Sequence, residues 1–254
     1  MSIELKHLSF TRLTKLADCP RALAEYIQGA QERTAAMDEG NLLDCLLFEP
    51  EKLTERFHVV EKADRRTKAG KEAHEAALAE AGDKILINSE QYDAARFIET
   101  CVRLSPTVAE HGLLNSELFN FQTETGFFYR GFWHKGRKDA EGTRRDGVKC
   151  IWDLKRMGAT RGEKDVARKI RAMKYDLQAA IYSYEYDERG EHLEYYVVAV
   201  DNDGYVTPFR IGKDARMQAR FEWNKLVRAA HRVKMEGFDA GPEFWANSEG
   251  FFDY

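Results

Sequence analysis

Over the first hundred residues apolar side chains recur at helical spacing. Leu13, Leu16, Leu23, Tyr26 and Ile27 share one face of a stretch from Thr11 to Ile27, which the Cys19-Pro20 dipeptide interrupts. A second helix is predicted over Thr34–Phe48 and ends at Glu49-Pro50. Charged residues dominate Asp64–Glu80, a short apolar Ile85-Leu86-Ile87 follows, and Ser89 reads as the cap of a helix over Glu90–Leu104. From Glu117 the period becomes that of short strands: Glu117–Gln122, Phe127–His134, Val148–Lys155, Glu194–Val200 and Tyr205–Ile211. Helical stretches over Arg161–Met173 and Tyr175–Tyr186 separate the third strand from the fourth, and a long helix over Lys213–Glu236 closes the pattern. The order predicts an α/β fold with a mixed central sheet flanked by helices. The chain reads as one domain over residues 1–254. Residues 1–113 form its mainly helical part, 114–236 its sheet-containing core, and 237–254 an acidic, aromatic tail that docks on the body or on a neighbour.

Composition narrows the class. With 43% apolar, 12% aromatic and 32% charged residues, the chain is globular rather than disordered or fibrous. It has no apolar run near the ~20 residues that span a bilayer, and MSIELKHLSF lacks the apolar stretch of a secretory signal. A soluble cytoplasmic protein with no membrane partner is expected. Cys19, Cys45, Cys101 and Cys150 form no CxxC pair, which argues against structural zinc and for reduced thiols. Net charge is −4, yet Tyr129–Lys174 carries fifteen Lys/Arg against six Asp/Glu. A basic segment inside an acidic chain steers a polyanion to one place. The competing reading, strongest for Arg161–Lys174, is a solvated helix face.

The densest chemistry lies in Gly126–Lys155. Side chains alternate along a strand, so Asp153 and Lys155 share one face and Trp152 and Leu154 the other. Asp139 is expected to end the preceding strand, with the turn AEGTRRDGV returning the chain so that two carboxylates converge near one lysine. Phosphodiester hydrolysis uses such a set: hard oxygen ligands hold Mg²⁺ or Mn²⁺, which activates water and neutralises phosphate charge, and a lysine stabilises the transition state. A D-x-K tripeptide is also what a salt-bridged pair on an exposed strand looks like. Gln178 and Tyr182 in YDLQAAIY lie four apart on one helix face and can cover the edge of the same site. Glu117 opens the strand before Gly126 and offers a third carboxylate. Arg130, Lys135, Arg137, Arg144, Arg145 and Arg156 lie beside these residues in sequence and are the candidate phosphate contacts. GFWHKGRK imitates a phosphate loop, but it has Arg137 where lysine is required and lacks the Ser/Thr. No GxSxG is present, and the histidines show no ligand spacing.

The succession LSFTRLTKLADCPRALAEY, GNLLDCLLFEPEKL, RRTKAGKEAHEAALAE, the Glu117 strand, KGRKD, IWDLK and YDLQAAIY resembles the PD-(D/E)XK nucleases. Within them it is similar to the RecE-type (exodeoxyribonuclease VIII-like) domain related to the nuclease domain of RecB and to phage lambda exonuclease. The resemblance implies a restriction-endonuclease-like core and a Mg²⁺-dependent exonuclease that degrades one strand of linear duplex DNA, 5′ to 3′, for homologous recombination. It makes Asp139, Asp153 and the Leu154 carbonyl metal ligands, Lys155 the catalytic lysine, Glu117 an additional acid, and Gln178 with Tyr182 the Q-x-x-x-Y element. Asp44 stands in GNLLD where the family usually has histidine, and is a further candidate metal ligand together with Glu117; Arg156 stands where the family has threonine. The resemblance further implies double-stranded DNA ends as substrate, a single-strand annealing protein as partner, and a trimeric or tetrameric ring. No cysteine follows Cys150, so the iron–sulfur cluster of some relatives is not expected. A same-fold nuclease in repair, restriction or CRISPR adaptation, and an impaired domain that only binds DNA or a partner, are the alternatives.

Overall fold

A computed structural model describes residues 3–30, 33–160 and 162–245. The predicted break at Cys19-Pro20 separates α1 (Phe10–Asp18) from α2 (Pro20–Ile27). Proline sits at the first helical position, where its missing N–H costs nothing, and the Cys19 sulfur caps the Ala22 N–H. Helix α3 (Ala35–Phe48) starts on the Thr34 hydroxyl and stops before Pro50. After the short α4 (Leu53–Arg56), strand β1 (Phe57–Val60), α5 (Lys68–Ala81) and β2 (Ile85–Asn88) form a β-α-β unit whose two strands pair in parallel. Asn88, not Ser89, caps α6 (Ser89–Leu104), in a reciprocal capping box with Gln91. Helix α7 (Pro106–His111) leads into the main sheet.

That sheet has five strands in sequential order: β3 (Phe119–Tyr129), β4 (Phe132–Thr143), β5 (Lys149–Gly158), β6 (Glu194–Asp201) and β7 (Val206–Arg210). Only β5 and β6 are parallel, joined by α8 (Glu163–Ala172), α9 (Tyr175–Tyr182) and α10 (Tyr184–Glu188). Two expectations are corrected here. The strand expected over Phe127–His134 straddles a hairpin, because Arg130 and Gly131 both take positive φ (46° and 84°), the two-residue turn that matches strand twist. The helix expected over Tyr175–Tyr186 breaks at Ser183, whose hydroxyl turns back to the Ala179 carbonyl. The start of the preceding helix at Arg161 lies outside the described residues.

Helix α11 (Lys213–Glu236) packs with α1 and α9 on one face of the sheet, burying Leu13, Ile151, Val197 and Trp223. Helices α3, α6 and α7 cover the other, around Leu43, Phe119, Trp152 and Val198. Of the tail, the described part closes with a 3₁₀ turn, Pro242–Trp245, that buries Phe244 in the first core; residues 246–254 lie outside the described residues. No helix among the described residues is long and apolar enough to cross a membrane.

Candidate active site

Strands β4 and β5 pair from Thr143–Lys149 to Ala140–Trp152, and there the ladder ends. Just past that point Asp139 Oδ2 accepts the Leu154 N–H at 2.8 Å, taking the place of a β4 carbonyl. The strands part, and the carboxylate is held in the gap. Asp139 therefore lies inside β4 rather than at its end, and the return turn is shorter than AEGTRRDGV suggests. Asp153 is 1% exposed; Gln178 Nε2 donates to its Oδ1 at 3.1 Å, and Lys155 Nζ forms an ion pair with its Oδ2. The Lys155 ammonium also stands 5.3 Å from the Tyr175 ring centroid.

Asp44, from α3, joins this group. Its carboxyl is pushed well above the ordinary range, first by burial and then by Asp139, with Asp153 adding and Lys155 and Arg137 opposing. Burial likewise raises Asp153 to about 7, with Lys155 pulling down and Asp139 pushing up. Burial alone lowers the Lys155 ammonium, but Asp153 and Asp139 outweigh it and hold the charge in place.

Helix α9 covers the floor. Gln178 points to Asp153, and one turn later Tyr182 lies against Gly136 of β4. A Cβ at Gly136 would stand 2.9 Å from both Cζ and Oη of Tyr182, so only glycine admits the ring. The β3–β4 ribbon also turns over beside Asp139. Phe127, Phe132 and Gly136 face the core under α9 and α11, whereas Phe119, Phe121 and Ala140, of the same strand parity, face the core under α3. At the reversal Gln122, opposite Asp139, takes a left-handed φ of 51° and buries an amide with no hydrogen-bond partner. Such strain is stored where the surroundings over-determine it. Gln122, Gly136 and Tyr175 are thus site residues that sequence reasoning misses; only Tyr175, three residues before Gln178, carries a signal in spacing.

Several expected residues lie elsewhere. Glu117 is exposed in a turn before β3 rather than within a strand, with its N–H on Asn115 Oδ1, and is not among the charges acting on the site. Arg144 is 8% exposed and is held by Asp146, by Glu194 at 2.5 Å and by the Tyr196 hydroxyl at 2.6 Å, which leaves no face for a phosphate. Arg145 packs beside Gly112, away from the carboxylates. Arg130 sits at the hairpin tip over the Tyr129 ring, more than 20 Å along β4 from Asp139 at roughly 3.3 Å per residue. Arg156 borders the cleft between α3 and β5, paired with Glu39. Lys135 and Arg137 are exposed on β4, leading toward Asp139.

Among the described residues, no three His, Cys, Asp or Glu side chains converge to ligating geometry, since Asp153 is turned to Lys155 and Gln178 and Asp139 to Leu154. The donor set nevertheless fits a hard divalent cation. Besides burial, Asp139 and Asp153 push Asp44 up and Asp139 pushes Asp153 up, with Lys155 opposing both and Arg137, from the rim, opposing at Asp44; a cation among these carboxylates offsets that repulsion.

Comparison with known proteins bears on the fold. The crystal structure of a protein from Eubacterium rectale described as a "putative exonuclease" superposes with a TM-score of 0.61 at 14% identity, over 89% of this chain and 82% of that one. A second crystal structure, of SSO0001, aligns over 81% of this chain and 89% of its own at 18% identity, but with a TM-score of 0.35. No curated protein gives a significant sequence match. The model of a PDDEXK-like domain of unknown function, DUF3799, matches residues 9–212 and so spans the parted strands, the D-x-K strand and α9. The chain belongs to this PDDEXK-like family.

Proposed function

We propose that the protein is a divalent-metal-dependent deoxyribonuclease that removes nucleotides from the ends of linear duplex DNA and serves homologous recombination. The observation that carries this reading is the parting of β4 from β5, which sets Asp139 beside Asp153 and the half-buried Lys155, with Asp44 acting on the same group from α3. Action at ends rests on the RecE-type resemblance and on the description of the Eubacterium rectale neighbour. Asp139, Asp153, Asp44 and the Leu154 carbonyl would hold Mg²⁺, with Mn²⁺ as substitute. When bound, the ion supplies an activated water and neutralises phosphate charge.

The chain's own residues do the rest. Lys155, kept charged by Asp153 and Asp139, faces charge developing on the phosphoryl oxygens. Gln178 fixes the Asp153 carboxylate through Oδ1, and Tyr182 seats the helix that carries Gln178. Arg137 is exposed at the rim and available to the DNA backbone.

The test is Mg²⁺-dependent nucleotide release from linear, nicked and circular duplexes. Release from linear DNA alone is expected. Asp139→Asn and Asp153→Asn should abolish it with the fold intact, and Lys155→Ala should lose most turnover while still binding DNA. Full cleavage by either asparagine variant contradicts the assignment.

A further inference from the structure

The far half of the β3–β4 hairpin is covered on one face only. Phe127, Tyr129 and His134 pack under Trp223 of α11, and Phe132 under His231 of the same helix. By alternation Phe128, Trp133, Lys135 and Arg137 point the opposite way, where no layer of the described residues covers them. Phe128 is 69% and Trp133 48% exposed, and they are cross-strand neighbours. The Trp133 ring lies over Gly126, where a Cβ would stand 2.5 Å from Cζ2 and 3.0 Å from Cε2. The glycine lets the indole rest on the ribbon with its other face to solvent.

The cations lie between these rings and the carboxylates. Lys135 and Arg137 make no ion pair among the described residues, and Glu124, the cross-strand neighbour of Arg137, does not engage it. At the start of the chain His7 lies near both Arg12 and Lys135; burial first, then Arg12 and Lys135, hold its imidazole down to about 4. At the other end Arg137 acts on Asp44. From Trp133 to Asp139 the strip runs roughly 20 Å at 3.3 Å per residue, a few nucleotides of extended strand.

Flat aromatic faces followed by unpaired cations bind unstacked bases and their phosphates. A closed duplex hides its base faces and has no use for an exposed indole. Resting on the nuclease reading of the adjoining site, we infer that the outer face of this hairpin binds single-stranded DNA, with Trp133 and Phe128 stacking bases and Lys135 and Arg137 guiding the backbone toward Asp139.

Binding of a fluorescent oligothymidine, followed by anisotropy in EDTA so that nothing is cut, tests the inference. Trp133→Ala should weaken binding about tenfold, equivalent to about 1.4 kcal/mol, while Trp133→Phe keeps it within a few fold and closed circular duplex binding stays unchanged. Lys135→Gln should lower the salt slope by about 0.7, one single-strand phosphate contact. Melting temperatures show that each variant is folded. Unchanged oligothymidine affinity in both Trp133→Ala and Phe128→Ala, or equal weakening toward closed duplex, overturns the inference. Because the assay needs no catalysis, its outcome is separate from that of the nuclease reading: an inactive protein that binds oligothymidine through Trp133 keeps the strip, and an active one indifferent to Trp133 loses it.

Discussion

Gly136→Ala adds one methyl group at the seat of Tyr182. The glycine has no positive φ, so the backbone accepts alanine and the cost comes from the contact. The new carbon would stand 2.9 Å from Cζ and Oη of a ring that is 8% exposed and packed in the core with Leu177 and Ile181. Ordinary carbon contacts are about 3.5–4.0 Å, so ring or strand must retreat by roughly 1 Å. Overpacking of this kind costs about 1–3 kcal/mol, a fall of roughly 2–10 °C in melting temperature for a chain of this size. Gln178 rides the same helix, so the retreat also disturbs its 3.1 Å bond to Asp153. A misplacement of about 1 Å at a reacting group costs on the order of 100-fold in rate. Thermal unfolding and Mg²⁺-dependent nucleotide release from linear duplex, measured together, read both effects. Tyr182→Leu in the Gly136→Ala background should recover stability, whereas Tyr182→Phe should not, because the ring edge remains. Wild-type melting and wild-type release by Gly136→Ala would falsify the reasoning, because the ring would then have room that the structure denies it.

Burial holds the His134 imidazole at about 4 against an ordinary 6.5, so between those values the unfolded chain binds the extra proton. The stability from neutral His134 is complete above pH 6.5 and is lost as pH falls toward 4. Urea unfolding should show wild type losing about 2 kcal/mol more than His134→Phe between pH 7.5 and 5; parallel pH profiles would refute this. Arg144→Ala removes the ion pair with Glu194, which keeps Arg210 and the Tyr196 hydroxyl, and should destabilise by about 1 kcal/mol with DNA affinity unchanged; a loss of affinity in a folded variant would return Arg144 to the DNA surface. The ring implied by the resemblance predicts a trimer or tetramer of the 29.3 kDa chain in light scattering, and a monomeric mass removes it.

Legibility followed the range of the interactions. Cys19-Pro20, Glu49-Pro50, the IWDLK strand and YDLQAAIY act through their immediate neighbours, and their elements stand where periodicity and proline placed them. The hairpin at Arg130-Gly131 escaped because arginine is not a residue that advertises left-handed backbone. Arg144 read as a surface cation because its partner, Glu194, is fifty residues away. The D-x-K spacing brought out Asp153 and Lys155, but Asp139 acts through a main-chain N–H on another strand, which no pattern of residue types encodes. Glu117 was drawn toward the site by sequence order and by the resemblance.

The Leu154 N–H is held by a side chain where its neighbours in the ladder are held by main chain. Its protection from solvent exchange therefore reports on Asp139 rather than on the sheet. The same carboxylate sits where the ribbon turns from one core to the other, so loosening either core is expected to free that amide. Local opening is far cheaper than global unfolding. A carboxylate cluster built on such a seam is expected to come apart while the strands on both sides remain protected, with one backbone amide recording the event.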